Sequence, residues 1–285
     1  MYNNFRYNGG SSLENQKMAM PRDILLVRHG ESEQNIAKKK SKKGDHSLFT
    51  KEFRGRHNST FRLTDKGRKQ ADMAGDYIRA HLGDSFYRYY VSEYSRALET
   101  AALLKLPFAK WRMEFYLRER DWGKLDVVSE EDKSTTFKEA MDQRKRDGFF
   151  WRPPGGESMS AVCLRWDRFI NTLARECDGE DKVIVVCHGE VMWAARVRME
   201  KMSHRDYQAL EASPRPQDKI HNCQILHYTR ENPETKKLSK HFGWMMSICP
   251  TDLSRSSNVW VPIERKEYSN AEIQKIAEEY PRMIN

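Results

Sequence analysis

Three short apolar runs set the architecture of this chain: Ile24-Leu25-Leu26-Val27, Tyr89-Tyr90-Val91 and Val183-Ile184-Val185-Val186-Cys187. Each is apolar at successive rather than alternate positions, the pattern of a strand covered on both faces. This predicts strands at Asp23–Arg28, Tyr89–Ser92 and Lys182–Cys187, with a later one at Gln224–Tyr228. Helical periods separate them. Thr64 is a natural N-cap for a helix whose apolar positions Ala71, Ala74, Tyr77, Ile78 and Leu82 recur near the 3.6-residue period. Further helices are expected over Ser95–Leu104, ending before Pro107, over Ser160–Cys177, and over Val191–Met199. Alternating strands and helices imply an α/β fold, a sandwich of three layers with a mainly parallel central sheet and helices on both faces.

Three segments lie outside this pattern. Residues 1–22 are polar and rich in Gly, Ser and Asn, as in a flexible N-terminal tail. The stretch 37–57 is strongly basic. Residues 245–285 contain Pro250, Pro262 and Pro281, with a helix expected near Asn270–Tyr280. No run approaches the roughly 20 apolar residues that span a bilayer, and the N-terminus has no apolar core for a secretory signal. The five cysteines, Cys163, Cys177, Cys187, Cys223 and Cys249, are odd in number, widely spaced and form no C-x-x-C. Buried free thiols in a reducing, cytoplasmic setting are therefore expected. The net charge of +9 favours anionic partners: nucleic acid, anionic membrane or phosphorylated molecules.

The polar residues that end the predicted strands carry the chemistry. Arg28-His29-Gly30-Glu31-Ser32-Glu33-Gln34-Asn35 follows the first strand directly. In a doubly wound sheet, ligands collect at such carboxyl ends, and a helix starting there offers free N–H groups to a phosphate. Arg28 adds a planar fork for phosphate oxygens, and an imidazole beside it is placed to attack phosphorus. A lone histidine at a strand end is more often structural. Here, however, Ser92 and Arg96 follow the second strand, and His188-Gly189-Glu190 follows the third. Two histidines and two arginines at three strand ends favour one shared site. Leu117-Arg118-Glu119-Arg120-Asp121-Trp122-Gly123 supplies carboxylates that could protonate a leaving oxygen. No histidine pair has the spacing of a catalytic metal site, so no metal and no cofactor are expected.

These motifs resemble the histidine phosphatase superfamily, which includes cofactor-dependent phosphoglycerate mutases and many broad phosphatases. The resemblance rests on R-H-G-E-S-x-x-N (28–35), L-T-D-K-G-R-x-Q-A (63–71), S-x-x-x-R-A-x-E-T-A (92–101), L-x-E-R-x-W-G (117–123), G-G-E-S (155–158) and V-C-H-G-E (186–190), in that order over about residues 23–230. It implies that His29 is the phosphorylated nucleophile and Glu119 the acid/base. Arg28, Arg96 and His188 complete the phosphate pocket, with Asn35 and Gly189 as further phosphate contacts. It also implies a catalytic domain over 23–244, with the basic insertion 37–57 and the region 124–156 forming a cap, and 245–285 as a C-terminal extension. The G-G-E-S element is similar to a phosphatase branch. Glu93 stands where the family often has proline, and a carboxylate near the pocket would disfavour some anions.

The expected activity is hydrolysis of a phosphomonoester, on a small molecule or a phosphoprotein, through a metal-independent phosphohistidine. A mutase that returns the phosphoryl group to another hydroxyl is the enzymatic alternative, and a phosphoanion-binding module the non-enzymatic one. For Lys38-Lys39-Lys40-Ser41-Lys42-Lys43 a solvated loop is expected ahead of a nucleic-acid or membrane surface; substrate steering is a third role. Ser158 is expected to cap a helix or touch substrate, and most of the seven tryptophans to pack in core or cap. The sequence assigns no oligomeric state.

Overall fold

The structure, a computed structural model, describes residues 19–284. Most of the predicted tail 1–22 therefore lies outside the described residues. The strands are β1 (Asp23–Arg28), β2 (Arg88–Val91), β3 (Trp111–Met113), β4 (Lys182–Cys187), β5 (Ile225–Thr229), β6 (Trp244–Ile248) and β7 (Val261–Pro262). The helices are α1 (Glu33–Ser41), α2 (Lys51–Arg54), α3 (Asp65–Tyr77), α4 (Ser95–Leu103), α5 (Glu130–Ser134), α6 (Lys138–Asp147), α7 (Met159–Glu176), α8 (Gly189–Met199), α9 (His204–Ala212) and α10 (Asn270–Glu278).

The strands form one sheet in the order β3-β2-β4-β1-β5-β6-β7. The β3, β2, β4 and β1 group is parallel, whereas β5, β6 and β7 add antiparallel. The expected parallel sheet thus forms one half and an antiparallel meander completes the other. Strand β6 runs through residues assigned from sequence to the C-terminal extension, because Trp244–Ile248 pairs with β5.

The period of two along a strand sorts the central residues between two cores. Ile24, Leu26, Val183, Val185 and Cys187 face the layer that holds Val162, Trp166, Phe169 and Met192 of α7 and α8. Leu25, Val27, Ile184 and Val186 face the layer of Ala71, Ala74, Ala97 and Ala101 of α3 and α4. Both faces are dry, which is why these strands read as continuous apolar runs. Small residues on α3 and α4 bring those helices close to the sheet. Thr64 caps α3 through the Gly67 N–H, as its position predicts.

All five cysteines are buried and unpaired. Among the described residues no helix is long and apolar enough to cross a membrane.

Candidate active site

Register explains why the strand-end residues meet. Pairing of β1 with β4 places Arg28 beside Cys187, so His29 and His188, each one residue further on, are neighbours. Their ring centroids are 5.1 Å apart. Pairing of β2 with β4 places Val91 beside Val186, which brings Ser92 to the same edge. Ser92 Oγ lies 2.8 Å from His188 Nε2.

His29 is buried, and its Nδ1–H donates to the Gly30 carbonyl at 2.7 Å. That bond fixes the tautomer and leaves the Nε2 lone pair free. Arg96 Nε donates to the same Nε2 at 3.1 Å, which requires an unprotonated nitrogen there. Burial, with Arg96 and Arg28 nearby, lowers the His29 imidazole well below its ordinary value and keeps it neutral. The surrounding turn is tied down at both ends: Gly30 N–H donates to Thr100 Oγ1 at 3.1 Å, and Asn222 Nδ2 donates to the His29 carbonyl at 3.0 Å.

The cations are held but not neutralised. Arg96 is almost wholly buried, and its Nη1 donates to the Asn58 carbonyl at 2.7 Å. Arg28 Nη1 donates to the Ile220 carbonyl at 2.7 Å, while its buried Nε has no hydrogen-bond partner. Gly189 makes room for that guanidinium: a Cβ there would sit 3.4 Å from Arg28 Nε. His188 Nδ1 is also buried without a partner. Unpaired buried N–H groups of this kind are costly unless an anion meets them.

Glu119 is half-buried on the wall of the same cavity, where its Oε1 accepts from the Arg120 N–H at 2.9 Å. Burial, reinforced by Glu190, raises its carboxyl above the ordinary value. One carboxylate oxygen of Glu119 and one nitrogen each of His29 and His188 lie within 4.8 Å of one another. Such a trio could chelate a cation, but two guanidiniums border the same space. At about 4 Å, like unit charges repel by roughly 4 kcal/mol in a partly screened site, so the place suits an anion better.

A cavity of about 470 Å³ opens over this floor, and Arg28, His29, Asn35, Arg96, Glu119 and Gly189 all line it. His188 is buried beside His29 and is not among the lining residues, although one of its ring nitrogens lies within 4.8 Å of His29 and Glu119. Asn35 Oδ1 accepts from the Ser32 N–H and Asn222 Nδ2, which turns its own amide NH₂ away from protein acceptors. The helix after β1 offers fewer free N–H groups than the sequence reading expects, because Ser32 and Asn35 close a capping box on α1 and the Glu33 N–H donates to the Arg62 carbonyl at 3.0 Å. Helix α8 does offer them: His188 at its N-cap makes no side-chain cap bond, and Gly189 at its first turn faces the cavity.

Other expectations are corrected. Glu93 is exposed and does not line the cavity. Glu157 is held by Arg118 at 2.9 Å and Arg165 at 2.8 Å, whereas Ser158 caps α7 through the Ala161 N–H, the first of the two roles expected for it. The G-G-E-S element therefore fastens the segment before α7 and does not reach the cavity. Among the tryptophans, Trp122 and Trp193 line the cavity, while Trp151 and Trp166 are buried. Asn222 and Asn58 position the site from connecting segments and carry no signal in a single sequence, whereas Thr100 falls within the S-x-x-x-R-A-x-E-T-A motif (92–101).

This fold and site define a histidine-based phosphoanion centre, and the family comparison agrees. The model of the histidine phosphatase superfamily (branch 1) matches residues 24–240, and the chain belongs to that family. Among curated proteins, 6-phosphofructo-2-kinase/fructose-2,6-bisphosphatase 1 of Rattus norvegicus is 30% identical over 172 residues. That match takes in 60% of this chain but only 31% of the rat protein. Among solved structures, the alpha-ribazole phosphatase of Shigella flexneri superposes with a TM-score of 0.58 at 19% identity, covering 77% of this chain and 96% of that one. A mycobacterial glucosyl-3-phosphoglycerate phosphatase gives 0.56 at 20% identity, covering 73% and 89%.

Proposed function

We propose that this protein is a metal-independent phosphomonoesterase that works through a phosphohistidine on His29. The observation that carries the proposal is the state of His29: a neutral imidazole, its Nδ1–H held by Gly30, its Nε2 lone pair at the floor of a cationic cavity. Family membership supports the reaction class, and the matched proteins named as phosphatases act on small phosphorylated molecules, which favours a metabolite over a phosphoprotein.

The phosphate oxygens are received by Arg28 Nε, Arg96, Asn35 and the first-turn N–H groups of α8. Arg96 Nε, which rests on His29 Nε2, turns to a phosphate oxygen and frees the lone pair. Nε2 attacks phosphorus in line, and the bond to the ester oxygen breaks. Glu119, whose carboxyl burial raises above its ordinary value, gives its proton to the departing oxygen. A water molecule then loses a proton to the Glu119 carboxylate and attacks the phosphohistidine. The P–N bond breaks, its electron pair returns to Nε2, and inorganic phosphate leaves. His188, set against His29 and Ser92, adds a donor near the transferred group.

The cap is assigned to 124–156, which supplies Leu125, Glu130, Lys133, Met141 and Arg144 to the cavity wall. Free buried thiols favour a reducing compartment, and we place the enzyme in the cytoplasm. A mutase would have to exclude water while a bisphosphate reorients. A cavity walled mainly by charged side chains favours water entry and hydrolysis instead. The test is a paired assay on one preparation in the presence of EDTA. Phosphate release from several monoesters, with little interconversion of 2- and 3-phosphoglycerate even when 2,3-bisphosphoglycerate is supplied, is expected. Mutase flux well above hydrolysis would reassign the activity, and activity lost to EDTA but restored by a divalent ion would contradict the metal-independent route.

A further inference from the structure

Helix α10 carries an apolar stripe that its own chain leaves bare. Ile276, Ala277 and Tyr280 follow Ile273 at three, four and seven residues, which puts all four on one face. Every residue from 264 to 284 is exposed, and beyond the stripe Met283 and Ile284 are 90% and 88% exposed. Among the described residues, the polar ties from this arm to the rest of the chain run to α9. Arg205 donates to Glu279 and to the Tyr280 hydroxyl, and Lys266 lies 3.8 Å from Asp206. A helix of nine residues is marginal in water unless its apolar face is covered. Because the stripe faces away from its own body, the cover has to come from another molecule.

A matching surface lies beside that anchor. A groove of about 330 Å³ between α7 and the end of α8 is lined by Phe150, Cys163, Leu164, Val197, Met202 and His204. Phe150 and Leu164 are 60% and 68% exposed there, an apolar patch of the kind that marks an interaction site. His204, whose ring centroid lies 5.4 Å from that of Phe150, immediately precedes Arg205. The charges also match. Glu272, Glu278 and Glu279 against Lys275 make α10 and its C-cap net negative, in a chain of net charge +9. The groove is flanked by Arg168, one turn after Leu164 on α7, and by Lys201, just before Met202. Both are exposed, and among the described residues neither has a carboxylate within 4.0 Å. A negative amphipathic helix suits this rim and does not suit an anionic membrane or nucleic acid.

We propose that two copies of this chain associate about a two-fold axis, the α10 arm of each lying in the Phe150–Leu164 groove of the other. Arm and groove flank one point of the surface, at Arg205 and His204. A single two-fold axis there buries both reciprocally and closes the assembly at two copies. Ile273, Ile276 and Tyr280 are the anchors, in the spacing of a helix laid into an apolar groove. A specific interface takes about 600 Å² or more from each copy. Seven large apolar side chains, five on the arm and two at the groove, are exposed in one chain and offer on the order of 100 Å² each, enough to supply it. The inference stands apart from the reaction, since none of these residues lines the cavity over His29.

Sedimentation velocity of the whole protein over a range of concentrations reads the association directly. A dimer with a dissociation constant of about 10 µM or tighter is expected. Leu164→Glu in the groove, and Ile273→Glu/Ile276→Glu on the arm, should each weaken it by about tenfold or more, while each variant stays folded by circular dichroism. The two variants mixed together should associate more tightly than either alone, because one intact arm then meets one intact groove. A protein that stays monomeric up to about 100 µM, a dimer that both sets of substitutions leave unchanged, or a mixture no tighter than its components would overturn the exchange. Binding of a monomer to phosphatidylcholine–phosphatidylserine vesicles, abolished by the arm substitutions, would also overturn it, in favour of a lipid surface.

Discussion

His29 and Glu119 are moved in opposite directions by the same loss of solvent. Burial disfavours the charged form of each, so the imidazole falls below its ordinary pKa and the carboxyl rises above its own. The direction of each shift fits the role proposed for it: His29 as a nucleophile held neutral, and Glu119 as an acid that holds its proton more tightly than a solvated carboxyl. For a monoester with a poor leaving group, kcat/KM should therefore peak on the acid side of neutrality. Its alkaline limb belongs to Glu119 and its acid limb to His29. Glu119→Gln should abolish the alkaline limb and slow poor leaving groups far more than good ones. Equal slowing across a leaving-group series would remove Glu119 from the acid role. Asp121 is a weak substitute, since it is exposed and its Oδ1 already accepts from the Gly123 N–H at 2.7 Å.

At the scale of elements, the turn that carries His29, the proposed nucleophile, depends on how closely the end of β1 and α3 approach. A Cβ on Gly67 would lie 2.0 Å from the Glu31 carbonyl oxygen, and one on Gly30 would lie 2.3 Å from the Gly67 carbonyl oxygen. Both obstacles are backbone, so Gly67→Ala must push apart the turn that holds His29. We expect a loss of about 1–3 kcal/mol in stability, measured by denaturant unfolding, together with a lower kcat. Unchanged stability and turnover would show that the turn relaxes freely. Ser158→Ala makes a contrast. It removes the α7 cap and should cost about 1 kcal/mol without changing KM, because Ser158 does not face the cavity. A raised KM would restore Ser158 as a substrate contact. These elements also mark what the chain discloses. Strand ends at Arg28, Val91 and Cys187 are legible because a doubly buried strand stops where its apolar run stops. Their adjacency is not, because register between β1 and β4 depends on packing across more than 150 residues of intervening chain. The three-residue β3 is too short for any period, and β6 hides in Trp-Met-Met-Ser-Ile, whose mixed character shows no clear alternation. Helix α1 is masked by its lysines, which read as a loop until their spacing along the cavity wall is seen.

For the molecule as a whole, the sheet gathers its chemistry at one end of its parallel half, and the insertions wall that end. The net charge of +9 is thus partly organised: Lys38 and Lys42 face the cavity, whereas Lys39, Lys40 and Lys43 point to solvent. Neutralising the three outward lysines should flatten the salt dependence of kcat/KM for an anionic substrate, since none of them lines the cavity and they reach it only through the long-range field. No change in that salt slope would return them to the role of a solvated surface. The account stands most directly on the phosphoenzyme. Protein mixed with a radiolabelled phosphomonoester and quenched in alkali within the first turnover should retain label that is alkali-stable and acid-labile, located on His29. His29→Ala should retain none and lose turnover by on the order of a thousandfold or more. Steady turnover with no trapped label, label on another residue, or near-normal activity in His29→Ala would contradict it.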